Sequence, residues 1–343
     1  MTTAVPVSPK NWSVFAPIVT AALAAIVFAG LAGVATTKGV SPPSRFFRLS
    51  LRPPAAAIVR AVAPRGTSGD MCVMALGSSE RLSVGERVSV GLTNCDLYNN
   101  SHNAASTELV GGASLSARNI FLSGGYALSP GTLMTASGAL ATHTTPVSDP
   151  YIGLTVPGYS GCRKTRFVLD AGTTARASPG VYCGGILVAG GAALDLAPGT
   201  YILDEGNFEV GENATVKGRD VTIILTSRNR SNHGVVDFHR GATIELSAPA
   251  SGSEAGAPGI ALWVDATAPA AANTLDGGGT QIIDGAVYLP SQEVSFSGGS
   301  PSATRCSQLI ARTVSFTGNA YFRHDCDGAG VSDPVPPPRF AEE

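Results

Sequence analysis

A five-residue phrase recurs through much of this 343-residue chain: a core apolar residue, one variable residue, a Gly-rich pair and a small residue. It stands at Val188 (VAGGA), Val210 (VGENA), Phe238 (FHRGA), Leu275 (LDGGG), Phe296 (FSGGS) and Phe316 (FTGNA), with spacings of 22, 28, 37, 21 and 20. The two long spacings coincide with inserts, SRNRSNHG at 227 to 234 and an Ala/Pro/Gly-rich stretch at 251 to 272. Fainter copies begin at Val84 and Leu109, and Pro179-Gly180-Val181-Tyr182 returns nineteen residues later as Pro198-Gly199-Thr200-Tyr201. A period near 20 with short alternating strands and no helical spacing marks a β-solenoid, because one unit cannot bury its apolar face until the next stacks on it. A leucine-rich repeat needs a Leu lattice that is absent, and a sandwich has no reason to repeat a phrase in register.

The expected fold is therefore all-β, a right-handed parallel β-helix of about ten coils over 71–327, with a Pro-rich tail at 328–343. Equivalent residues then stack at the interstrand spacing of about 4.8 Å, which makes the rod roughly 48 Å long. The stacking predicts aromatic ladders of Tyr182 over Tyr201 and Phe296 over Phe316. Gly318-Asn319 is expected to supply a left-handed corner. Open solenoid ends expose strand edges, so the 38–70 segment and the PVPPP tail are expected to cap them.

Six cysteines stand at 72, 95, 162, 183, 306 and 326, and consecutive pairs are 23, 21 and 20 residues apart. Each separation is one coil, which brings Cα atoms to about 5 Å, inside the disulfide window. The pairs Cys72 with Cys95, Cys162 with Cys183, and Cys306 with Cys326 follow, each closing a loop for which chain entropy gives on the order of 3 kcal/mol. Oxidised cysteines imply an oxidising compartment. No CxxC or finger-spaced His suggests zinc.

From Trp12 to Thr37 no residue is charged, and the run is long enough to cross a membrane as one helix. Segment 1–37 reads as an anchor, or as a signal peptide cut near Gly33-Val34-Ala35. Lys38, Arg45, Arg48 and Arg52 come after it in a proline-broken linker, 38–70, with one short helix expected at 55 to 62. The positive-inside rule would keep those residues in the cytoplasm against Lys10 alone; the cysteines argue that the remainder of the chain is exported.

Chemistry is sparsely marked. Net charge is −2 and no basic stripe with interleaved aromatics occurs, so nucleic acid is not an expected partner. His324, Asp325 and Asp327 cluster around Cys326, and His233, Asp237 and His239 share one face of an extended segment. Either set has acid/base or metal-ligand residue types, although an outward polar face explains both. Asp276-Gly277-Gly278-Gly279 resembles a calcium-repeat fragment without its tandem array. Nucleophile elbows, zincin motifs and phosphate loops are missing, so neither catalysis nor a cofactor is expected.

Four phrases carry a family resemblance. Met71-Cys72-Val73-Met74-Ala75-Leu76 is similar to a CILAL-type start, Pro179 to Ile186 to PGVYCGGI, Gly285 to Pro290 to GALYFP, and Cys306 to Ala311 to CxQIVA. Together, over about 71 to 326, they resemble the C-terminal region of TadG-like proteins associated with Tad/Flp pilus assembly in α-proteobacteria. The resemblance implies a single N-terminal membrane segment, with the bulk periplasmic or extracellular and pilus or envelope proteins as partners. The expected role is structural or adhesive, with the two inserts available for contacts. The alternative is a carbohydrate-active or glycan-binding β-helix, which three or more acidic or aromatic residues on one outer sheet would favour.

Overall fold

The computed structural model describes residues 70–278 and 281–334, together with the short strands Ala61–Val62 and Arg339–Phe340. All lie in the unit Ile58–Glu343. The apolar segment Trp12–Thr37 and most of the linker lie outside the described residues. So does most of the short helix expected at 55 to 62, whose last two residues, Ala61–Val62, form a strand antiparallel to Arg339–Phe340.

The described chain is a parallel β-solenoid of about eleven turns, with three strands per full turn and no helix. The repeated phrase is its spine. Leu169, Val188, Val210, Phe238, Leu275, Phe296 and Phe316 pair in that order as register partners, and the ladder continues to Val84, Leu109 and Leu128. Most of these side chains are fully buried, and each such burial is worth about 1.5–3 kcal/mol. The sheet carrying this row is the ladder face.

The step from Phe316 to Val84 shows that the coils do not stack in chain order. The strand Met71–Ala75 lies between Asp96–Asn99 and the late strand Ser307–Arg323. Coils from 71 to 141 thus run from the middle of the rod to one end. Those from 164 to 326 run from the other end back to the middle. The junction is a full ladder: Leu76 N donates to Ala311 O at 2.8 Å and Gly85 N to Phe316 O at 2.9 Å. Ser83 Oγ meets Ser315 Oγ at 3.0 Å, and Arg312 pairs with Glu80 at 2.8 Å.

Residues 142 to 163 make this permutation possible by returning along the outside of the rod. A row of outward-facing side chains explains their path: Val181, Ile202, Ile224, Trp263, Tyr288, Ile310, Met74, Tyr98, Phe121 and Ala141 are successive register partners. This strap face is apolar on both sides, so it requires a covering layer. The strap supplies Val147, Tyr151, Leu154, Val156 and Tyr159 to a second apolar cluster over that row. Its 22 residues can extend to about 75 Å, ample for ten spacings of about 4.8 Å.

Two sequence expectations are affected. The described edges of the solenoid segment lie away from the rod's ends: Asp70 and residues 324 to 334 meet at mid-rod, while the terminal coils are Tyr126–Ala141 and Lys164–Ala177; most of the 38–70 segment and of the PVPPP tail expected to cap the rod lies outside the described residues. Gly318-Asn319 is not a left-handed corner but part of the extended strand Ser307–Arg323. The left-handed position is the third residue of a recurring four-residue turn, filled by Gly112, Gly131, Gly172, Gly191, Asn213 and Gly241, and at one coil by Arg87, φ 58°. Positive φ there favours residues without a Cβ clash.

Both aromatic ladders form. Phe296 and Phe316 are direct register partners with ring centroids 6.3 Å apart. Tyr182 and Tyr201 stack at 5.8 Å, although the backbone pairs Tyr182 with Leu203, since the ladder offset is 21 residues rather than the phrase's nineteen.

Candidate functional site

The three disulfides join Cys72–Cys95, Cys162–Cys183 and Cys306–Cys326, with Cα separations of 5.6, 5.6 and 4.8 Å, and no described cysteine is free. Each fastens a discontinuity. The first staples the opening coil, the second ties the end of the strap to the coil beneath it, and the third holds the chain's exit from its last coil.

The densest polar cluster lies where the chain's two described ends meet. His324 comes directly after the last coil strand, and its Nε2 is 3.1 Å from both carboxylate oxygens of Asp333. Its Nδ1 lies 3.8 Å from Asp70 Oδ1. Asp70 in turn pairs with Arg118 at 2.5 Å, and Arg118 Nε donates to the buried Asp96 at 2.8 Å. Asp333 Oδ1 also accepts from Met71 N and Gln308 Nε2, both at 2.9 Å, so one carboxylate ties the first strand, the last strand and the exit segment together. Burial lowers the His324 pKa, but the Asp333 hydrogen bond and the Asp333 and Asp70 charges outweigh it and leave the pKa raised. Asp70, His324 and Asp333 are close enough to offer one atom each to a metal ion. Their disposition fits another purpose: the carboxylates face opposite ring nitrogens, as suits an imidazolium donating on both sides rather than one lone pair aimed at a shared ion.

The residues singled out in the sequence divide differently. Asp325 turns from His324 to Arg323, at 3.5 Å, and to Asn94, at 3.4 Å. His239 lies between Asp237, 3.4 Å away, and Glu209 on the neighbouring coil, 3.8 Å away. His233 stands apart from them beside Thr267 Oγ1, at 3.4 Å, so the expected triad does not assemble. Asp276 to Gly278 belong to the strand Ala272–Gly278 and form no calcium turn.

The inserts are partly packed down. Arg228 pairs with Asp204 at 2.9 Å and covers the Tyr159 ring at 5.3 Å. Ala257 N donates to Thr222 Oγ1 at 3.0 Å, and Ser251 N to Gly328 O at 3.0 Å, which seats the second insert's first half on the rod.

The remaining sheet, the groove face, carries an open groove of about 860 Å³ lined by Arg176, Asp195, Lys217, Glu245, Asp284 and Arg305, among others. Arg176, Asp195, Lys217 and Glu245 are successive register partners, so charge alternates from coil to coil. Ion pairs join Arg176 to Asp195 at 3.5 Å and Lys217 to Glu245 at 3.0 Å. Asp195 and Glu245 thus each have a cation beside them, Asp284 Oδ1 accepts from the backbone amides of Arg305 and Cys306, and the outward aromatics of the strap face are buried under the strap.

The sequence signal for the strap is an absence of repeat. Between Leu128 and Leu169 no phrase occurs, and Pro146, Pro150 and Pro157 interrupt the stretch. No protein-family model, curated protein or solved structure matches this chain.

Proposed function

We propose that this chain is a non-catalytic structural or adhesive rod of the cell envelope, resembling TadG-like pilus assembly proteins. In this reading it is held at the membrane by its N-terminal segment, with a right-handed solenoid in the periplasm or outside the cell. The observation that carries the proposal is the set of three disulfides, which uses all six cysteines and suits an oxidising compartment. The permuted rod adds a mechanical argument. Strap, disulfides and the His324 cluster fasten every break in coil order, as suits a body that holds its shape under load. Its partners in this proposal are pilus or envelope proteins.

The glycan-directed alternative draws less support, because the groove face alternates charge instead of presenting a row of acids or rings. Trypsin applied to intact spheroplasts tests the localisation: the solenoid's peptides should be released while cytoplasmic markers survive. Protection of the solenoid, or alkylation of its thiols without prior reduction, would overturn it. New reducing ends after incubation with polysaccharides would overturn the non-catalytic assignment.

A further inference from the structure

The rod's two ends differ in chemistry. At one end, the strands Tyr126–Leu128, Leu133–Ala136 and Leu140–Ala141 each pair with the preceding coil, and no described strand covers their outer edges. At the other, Lys164–Leu169 and Thr174–Ala177 are likewise paired on one side. Among the described residues the exposed large apolar side chains concentrate here. Tyr126 is 42%, Leu128 43%, Leu133 59% and Leu140 40% exposed at the first end, with Val168 at the second. Residues 126 to 141 contain no charge at all, whereas the opposite end carries Arg163, Lys164, Arg166 and Arg176 against Asp170.

Charged side chains, lysine above all, are how natural sheets prevent edge-to-edge pairing. The cationic end has that protection and the uncharged end lacks it. An occupant of the uncharged end must present three free strand edges around the same three-sided outline, and another solenoid end does so. The molecule already contains such an end-on contact. The coil beginning at Met71 stacks on the coil ending at Arg323 with a full ladder, though no coil-to-coil link in the chain joins them.

We propose that the uncharged end, Tyr126 to Ala141, docks on the same end of a second copy and forms a two-fold, tail-to-tail dimer. A two-fold contact requires a self-complementary surface. Apolar and hydroxyl side chains without charge meet that condition. The cationic end does not, since self-pairing would oppose Lys164 and Arg166 to their own copies. Head-to-tail stacking would bury those cations against an edge that offers no counter-charge. The dimer is a rod of about twenty-two turns with both cationic ends outward.

The test uses the full-length protein, in detergent if its N-terminal segment requires it. Because the six native cysteines are paired, one added cysteine is a unique handle. Leu133→Cys treated with a bismaleimide should give a covalent dimer, and Thr174→Cys at the other end should remain monomeric. The double variant should stop at dimer. Light scattering should give a mass of two chains for wild type and half that for Leu128→Lys/Leu133→Lys, with its circular dichroism spectrum and melting midpoint unchanged as the check on folding. A monomeric wild type would overturn the proposal, as would a ladder of higher multimers from the double variant. So would a dimer that survives the lysine substitutions, because contact would then lie elsewhere, for instance between N-terminal segments.

Discussion

Tyr151 is the point at which the strap is fastened to the middle of the rod, and removing its hydroxyl should loosen the strap far more than the loss of one oxygen suggests. The ring is buried against Tyr288, centroids 5.3 Å apart. Its hydroxyl donates to Gln308 Oε1 and accepts from Ser332 N, both at 2.9 Å. Burial pushes the phenol pKa up, so the donor stays protonated throughout the working pH range. Tyr151→Phe keeps the ring but leaves the buried Gln308 carbonyl and the Ser332 amide without these partners. An orphaned buried polar group costs about 1–3 kcal/mol. With Ser332 partly accessible, the expected loss is about 2–3 kcal/mol. Solenoids need not unfold in one step, so the assay is hydrogen exchange of the strap amides, beginning with Val147 and Leu154. At about 1.4 kcal/mol per tenfold, their exchange should accelerate by roughly 30- to 140-fold. Ile152, next in sequence but 81% exposed, is the control, and Ile152→Ala should change exchange by less than about 0.5 kcal/mol equivalent. Acceleration of less than about threefold in Tyr151→Phe, near 0.7 kcal/mol, would refute the hydroxyl's role as a fastening.

Two further outcomes concern named positions. Because the pKa of His324 is raised in the fold, its stabilising contribution is complete below the ordinary value of 6.5 and disappears as pH climbs through the folded value. The deficit of His324→Gln in urea midpoint should therefore be largest near pH 6 and shrink towards pH 9; a constant or growing deficit would contradict the imidazolium clamp. Arg87 occupies a corner that Gly or Asn fills in the equivalent coils, and a left-handed residue with a Cβ costs about 1–2 kcal/mol. After glycine's extra unfolded-state entropy is subtracted, Arg87→Gly should stabilise by about 0.5–1 kcal/mol, read as a raised melting midpoint.

The solenoid, its period and its cysteine pairs were legible because stacking demands the same residue type at the same place in every coil. Val188, Val210, Phe238, Leu275, Phe296 and Phe316 are direct partners for that reason. The order of the coils was not legible from the phrase, for the same physical cause: a unit that fits any neighbour carries no address, and Val84 accepts Phe316 as readily as it accepts Leu109. The strap could have been suspected from the strap face itself. Val221 to Thr226 and Ile260 to Val264 are buried at every position instead of alternating, which requires cover on both sides. The mid-rod cluster was half visible. His324 stood out, but its neighbour Asp325 turns to Arg323 and Asn94. The carboxylates that hold it, Asp70 and Asp333, come from the two sides of the solenoid segment, whose meeting depends on the permutation.

That permutation is most directly tested by placing cysteines at Ser83 and Ser315, which are 232 residues apart in sequence yet are register partners with hydroxyls 3.0 Å apart. The native disulfides already span Cα separations of 4.8 to 5.6 Å, which neighbouring coils provide. Non-reduced peptide mapping of Ser83→Cys/Ser315→Cys should show these two peptides linked and the three native pairs intact. Coils stacked in chain order would hold the two positions about 43 Å apart, and two free thiols at 83 and 315 would contradict the account.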